Sequence, residues 1–235
     1  MLEKKKFDFA AGEVLLVDKP LEWTSFNVVS KVRGAIRLKK IGHAGTLDPL
    51  ATGLLILCTG KMTKQINTYQ DLPKQYTGTI TLGATTASYD LESEPENQQE
   101  FSHLTEAEIL KTTAQFIGEI EQTPPIFSAV KVDGKRAYKL ARAGKEVKIK
   151  TRMVTIHGFE ITKIDLPNVE FKVDCSKGTY IRSLANDFGA SLGVGGYLSA
   201  LRRTAIGEFR VEDAWELPKL IDEIHEFKRG ELSEK

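Results

Sequence analysis

The stretch GHAGTLDPLATGLLILCTG, Gly42 to Gly60, decides how this chain is read. One aspartate, Asp48, sits in a turn rich in Gly, Thr and Pro, and a steeply apolar run, Leu54 to Leu57, follows at once. Asp and Pro are ordinary turn residues, so a surface turn between two core elements is the plain reading. A charged side chain at the lip of a core strand nevertheless costs stability unless something pairs or uses it. Asp48 is therefore the first candidate for chemistry.

Upstream, Glu13-Val-Leu-Leu-Val-Asp18 reads as a buried strand ended by Lys19-Pro20. Thr24-Ser25 offers an N-cap, and Val28, Val29, Val32 and Ile36 recur at helical spacing, which predicts a helix from Ser25 to about Arg37 with a basic outer face. Downstream, Lys74 to Leu82 alternates with the period of a half-buried strand, and Thr105 with Glu108 forms a capping box for a helix to Phe116. Thr86 to His103 is acidic and poor in apolar residues, so a mobile surface loop is expected. Asp133-Gly134 signals a tight turn, and Arg136 to Arg142 a short basic helix. Val154 to Ile164 and Val169 to Cys175 read as strands. Tyr180 to Leu192 reads as a helix stopped by Gly193, and Leu217 to Phe227 as a final helix before a fraying polar tail. Without regular βαβ spacing, these elements imply an α+β fold with a mixed, largely antiparallel sheet and flanking helices. A single domain over 1–235 is expected, with a basic excursion at about 124–152.

Hydrophobic residues at 41% suffice for a core, and no run reaches ~18 apolar residues, so no membrane span is expected. The N-terminus lacks the apolar core of a signal peptide, which places the chain in the cytoplasm. Cys58 and Cys175 lie far apart in apolar runs and read as buried free thiols, and no His/Cys spacing suggests zinc. The net charge of +1 conceals a strong segregation. Lys131 to Arg152 holds nine Lys/Arg against two acids, and Asp90 to Glu121 holds nine acids against one lysine. Lys31, Arg33, Arg37, Lys39 and Lys40 form a second basic cluster just before the Asp48 turn. Local patches decide phosphate binding, because salt screens charges beyond roughly 8 Å. Two basic clusters therefore favour an RNA footprint over a merely solvated face.

Several stretches resemble the TruB family of pseudouridine synthases, and the resemblance spans nearly the whole chain. Val17-Asp-Lys-Pro-Leu-Glu-Trp-Thr-Ser25 is similar to the family's DKPxGxTS, with Glu22 where the family usually has glycine. GHAGTLDPLATGLL matches without a gap and is the most specific element. Tyr76 on its strand, the run Leu82 to Asp90, Cys175-Ser-Lys-Gly-Thr-Tyr-Ile-Arg182 and Gly196 to Thr204 complete the pattern. Ser88 stands where the family tends to show a second Thr.

The resemblance implies the pseudouridine synthase fold and isomerisation of a uridine in the T-loop of tRNA, with no cofactor and no metal. It implies Asp48 as nucleophile, Arg182 as the guanidinium that keeps it ionised, and Tyr76 stacking near C5 of the uracil. Tyr180 and Leu201 match positions that contact the base, and His43 a position beside the flipped nucleotide. Breaking the C1′–N1 bond and rejoining at C5 suits an anionic carboxylate that holds one fragment while the base turns, and an arginine at contact distance restores the charge that burial opposes. Lys19, Lys131, Arg136, Arg142, Lys145, Lys148, Lys150 and Arg152 are expected to grip the T-arm backbone. A monomer without obligate protein partners is expected. Many bacterial members carry a further C-terminal RNA-binding domain, and the 17 residues after Pro218 are too few for one. Two other readings compete. A phosphatase of the haloacid-dehalogenase type would need a second Asp where Leu50 stands. A non-catalytic RNA-binding or tRNA-folding module would explain the basic clusters but not Asp48, which repels phosphate.

Overall fold

The computed structural model describes residues 7–128, 131–132, 135–136 and 149–233. Its Cα packing divides the chain into two compact units, Met1–Lys74 with Arg202–Lys235, and Gln75–Leu201.

The first unit is built on β1 (Val14–Lys19), β2 (Ile41–Ala44) and β3 (Ala51–Thr59). β1 and β2 both run antiparallel to β3, through Leu16↔Ile56 and His43↔Leu57. β3 is almost wholly buried, which explains a continuous apolar run in place of an alternating one. One core joins β1 and β3 to α1 (Ser25–Ile36) and α5 (Leu217–Ser233), with Val28, Val32, Leu220 and Ile224 fully buried. Thr24 caps α1 by accepting from the Asn27 N–H, and Arg37 closes it in a left-handed conformation. α2 (Ile66–Asp71) follows β3. Gly53 explains part of the ATGLL signature: its φ is +102°, and a Cβ there would lie 2.3 Å from the Arg203 carbonyl oxygen. The last helix runs past the expected fraying point to Ser233, because the Phe227 ring packs edge-on against Phe7 and Phe9.

The second unit carries β4 (Lys74–Leu82), β5 (Gly118–Gln122), β8 (Arg152–Asp165), β9 (Asn168–Cys175) and the first part of β10 (Gly196–Ile206), in the order β10–β4–β9–β8–β5. β8 runs antiparallel to both β5 and β9, with two register shifts against β9. α3 (Glu106–Thr113) has the expected capping box, and α4 (Ile181–Ser191) ends ahead of Gly193 at φ +75°. Phe116, Phe159, Phe171 and Phe188 interlock mostly edge to face in the core. Gly189 of α4 admits the strand: a Cβ on it would lie 2.2 Å from the Gly196 nitrogen.

β6 (Lys131–Val132) and β7 (Lys135–Arg136) pair antiparallel as Lys131↔Arg136 and Val132↔Lys135. The expected tight turn at 133–134 and, beyond Arg136, the expected basic helix lie outside the described residues. β11 (Phe209–Arg210) pairs with the end of β10, and β12 (Trp215–Glu216) runs parallel to β1. The strands are mixed and mostly antiparallel, as expected. Cys58 and Cys175 are buried free thiols, and burial pushes Cys58 up to about 11.

Candidate active site

Asp48 lies half-buried in the connection between β2 and β3, and that connection is fastened at several points. Its own carbonyl accepts from the Ala51 N–H at 3.1 Å. Leu47, before it, is buried; its N–H donates to the Ser25 hydroxyl at 2.9 Å, and that hydroxyl lies 3.3 Å from the Leu47 carbonyl. Pro49, after it, accepts from the Glu22 N–H at 2.9 Å. Glu22 has φ +64°, so the turn keeps the left-handed conformation that glycine takes without strain.

Two buried cations serve this loop. The Lys19 side chain is fully enclosed, and its ammonium donates to the carbonyls of Pro20, Trp23 and Pro49 at 2.9, 2.5 and 3.3 Å. Burial pulls Lys19 down to about 8, the Asp48 carboxylate pulls it back up, and Arg203 lowers it further. Lys19, expected on the RNA backbone, has its ammonium enclosed and directed at three carbonyls. Arg203, also fully buried, donates from Nε to the Leu54 carbonyl at 2.7 Å and from Nη2 to the Gly45 carbonyl at 3.2 Å. One guanidinium therefore ties both ends of the Asp48 connection. Arg202 forks onto Asp18 at 3.0 and 2.7 Å. His43 is held below its ordinary value first by burial, against the Gly45 backbone, which raises it, and with a further lowering by Arg203. A lowered value favours the neutral imidazole.

The remaining expected residues lie in the second unit. Tyr76 is buried on β4, and Leu201 is half-buried on β10. Tyr180 is the N-cap of α4. Its N–H donates to Gln122 Oε1 at 2.7 Å, and its carbonyl accepts from Gln122 Nε2 at 3.1 Å. Arg152, cross-strand neighbour of Gln122, lays its guanidinium over the Tyr180 ring at 4.5 Å. Gln122 and Arg152 thus fix the ring from its backbone and its face.

Arg182 is buried and pairs with buried Asp90 at 3.5 Å. Its Nη1 also donates to the carbonyls of Ser88 and Phe127 at 3.2 and 3.1 Å. Of the segment expected as a surface loop, Thr86 to His103, the first five residues depart from that reading, whereas 91–103 are mostly exposed. Thr86, Ser88 and Asp90 are buried, and both hydroxyls donate to the Asp90 carbonyl. Acidic composition suggested solvent, but Asp90 is the counterion of Arg182.

Lys150 is exposed. The side chains of Lys131 and Arg136, and residues Arg142, Lys145 and Lys148, lie outside the described residues. Among the described residues no group of three His, Cys, Asp or Glu could hold a metal, and no helix is long and apolar enough to cross a membrane. Sequence reading missed Arg203, Gln122 and Asp90 as site residues. Asp90 and Arg203 do fall within stretches that carried the resemblance, Leu82 to Asp90 and Gly196 to Thr204, but neither was given a role there.

The fold is that of the pseudouridine synthases. The chain superposes on an H/ACA RNP structure bound to a substrate RNA containing 2′-deoxyuridine with a TM-score of 0.71 at 28% identity, covering 94% of this chain and 56% of that one. It superposes on a Cbf5–Nop10–Gar1 complex with a TM-score of 0.70 at 31% identity, covering 91% and 54%. The profile of the TruB family pseudouridylate synthase N-terminal domain matches residues 33–181, and that of the tRNA pseudouridylate synthase B C-terminal domain matches 182–235. A tRNA pseudouridine synthase B from Flavobacterium johnsoniae is 54% identical, over 88% of this chain and 93% of the relative. One from Chloroherpeton thalassium is 51% identical, over 91% and 90%. The chain belongs to the TruB family of pseudouridylate synthases.

Proposed function

We propose that this protein isomerises a uridine in the T-loop of tRNA to pseudouridine, with Asp48 as the nucleophile. The observation that carries the reading is the construction around Asp48: a half-buried carboxylate, tied down through both neighbouring residues, with buried Lys19 close enough to feel its charge. A rigid anion in a partly dry loop is what covalent capture of a nucleoside needs.

The target base must leave the stack, which costs a few kcal/mol that pocket and phosphate contacts offset. The carboxylate then bonds to the nucleoside while the C1′–N1 bond breaks. The freed base turns, C1′ joins C5, the bond to the Asp48 carboxylate breaks and returns the anion, the C5 proton leaves and N1 gains a proton, so substrate and product have the same composition. Tyr76, Tyr180 and Leu201 line the uracil in this reading, neutral His43 positions the flipped nucleotide, and Arg182, buttressed by Asp90, keeps the nucleophile ionised. Residues 131–152 grip the T-arm. The protein acts as a monomer in the cytoplasm, where its substrate resides.

The test is release of tritium from a T-arm stem–loop containing 5-tritiated uridine. The wild type releases label, and Asp48→Asn binds the RNA equally well without release. Binding with no release by the wild type refutes the proposal.

A further inference from the structure

Helix α1 buries Val28, Val29, Val32 and Ile36 and turns a different chemistry outward. Phe26 is 63% exposed, more than any other large hydrophobic side chain among the described residues. A single exposed apolar residue needs no explanation; the surroundings of this one do. Arg33, two turns along the same stripe, holds its guanidinium 5.9 Å from the ring centroid. Its Nε is buried and has no hydrogen-bond partner. Lys31 and Arg37 are exposed on the helix and at its cap, Lys39 and Lys40 follow, and no acid occurs between Glu22 and Asp48. Lys228, from the last helix, adds a further cation by donating to the Ala35 carbonyl at 2.7 Å. A Cβ on Gly34 would meet nothing within 4 Å, so the face is open there.

This face is fastened to the chemistry. Ser25, the residue before Phe26, is the one whose hydroxyl holds Leu47, next to Asp48. A helix of 12 residues is about 18 Å long, so its cations reach a few nucleotides from the loop. An exposed ring beside a guanidinium matches the flat face of an unpaired base, and a stretch of chain with cations and no acids matches phosphates.

We propose that the outward face of α1 is an RNA-docking surface: an unpaired loop base flanking the target uridine stacks on Phe26 beside Arg33, and the adjoining phosphates lie along Lys31, Arg37, Lys39 and Lys40. This rests on the RNA-modifying role proposed above. Phe26 takes no part in the chemistry, so its contribution falls on affinity.

The experiment uses the full chain and a T-arm stem–loop RNA, together with variants made abasic at each unpaired loop position in turn. Phe26→Ala raises Kd about tenfold, the scale of one base–aromatic stack. Phe26→Trp restores binding, and turnover at saturating RNA stays unchanged in both. On one of the abasic RNAs Phe26→Ala costs nothing further, because the stacked base is already gone. Lys31→Gln with Arg37→Gln lowers the slope of log K against log salt by about 1.5 in magnitude. An unchanged Kd for Phe26→Ala overturns the proposal, as does an equal loss on intact and on every abasic RNA. Tritium release by the wild type is read separately, so failure of the catalytic reading is distinguishable from failure of this one.

Discussion

Replacing Lys19 by Met should change how stability depends on pH, by an amount the structure sets. The Lys19 ammonium is fully enclosed and falls from 10.5 to about 8. Between these two values the unfolded chain holds the proton and the folded chain has shed it, so the unfolded state binds more protons and stability rises with pH. Below about 8 both states are protonated and the contribution is flat. At about 1.36 kcal/mol per pH unit, the gap corresponds to roughly 3 kcal/mol gained between pH 8 and 10.5. Cys58, pushed up to about 11, acts in the opposite sense above its usual range, but it is present in both proteins and drops out of the difference. The assay is urea unfolding of wild type and Lys19→Met at half-unit steps from pH 7 to 10.5. The difference in unfolding free energy should grow in favour of the wild type by roughly 3 kcal/mol. Curves that stay parallel across that range would mean that the ammonium is not desolvated, and the account of the two cations around Asp48 would fail.

Glu22→Gly should stabilise the protein by about 0.5 kcal/mol, the relief of a left-handed residue less the added freedom of the unfolded chain; a lowered denaturation midpoint would show that the glutamate side chain matters more than its backbone. Arg182→Lys keeps the charge facing Asp90 but loses the planar fork, and should lower kcat about a hundredfold, the scale of a small misplacement at a reacting centre, with little change in Kd. An equal loss in both constants would make Arg182 a phosphate contact. Neutralising Lys145, Lys148 and Lys150 together should weaken RNA binding and lower the salt slope by about 2, and a slope identical to wild type would move the footprint elsewhere.

Elements governed by neighbours in sequence were legible. The capping boxes at Thr24 and Thr105 differ in one respect only: Asn27 supplies the reciprocal side chain in the first, where Glu108 does so in the second. β4 shows the alternation its sequence carries, with Tyr76, Ile80 and Leu82 buried. Strand β10 was not legible, because Arg202 and Arg203 interrupt its apolar pattern. Their partners, Asp18, Gly45 and Leu54, lie about 150 residues or more away along the chain. The same holds for Thr86 to Asp90, whose burial depends on Arg182, and for Lys19, whose enclosure depends on Pro49. Polar residues read as solvent-facing wherever their counterparts are distant, and in this chain those are the residues that hold the candidate site.

The two cysteines offer an internal clock for opening of the molecule. Both thiols have no solvent access, and burial also pushes Cys58 up to about 11; thiols so enclosed are inert to alkylating reagents at neutral pH. Cys58 lies in the first compact unit and Cys175 in the second. The rates at which iodoacetamide labels each, separated by peptide mass, therefore time the exposure of each unit's interior individually, without any added probe.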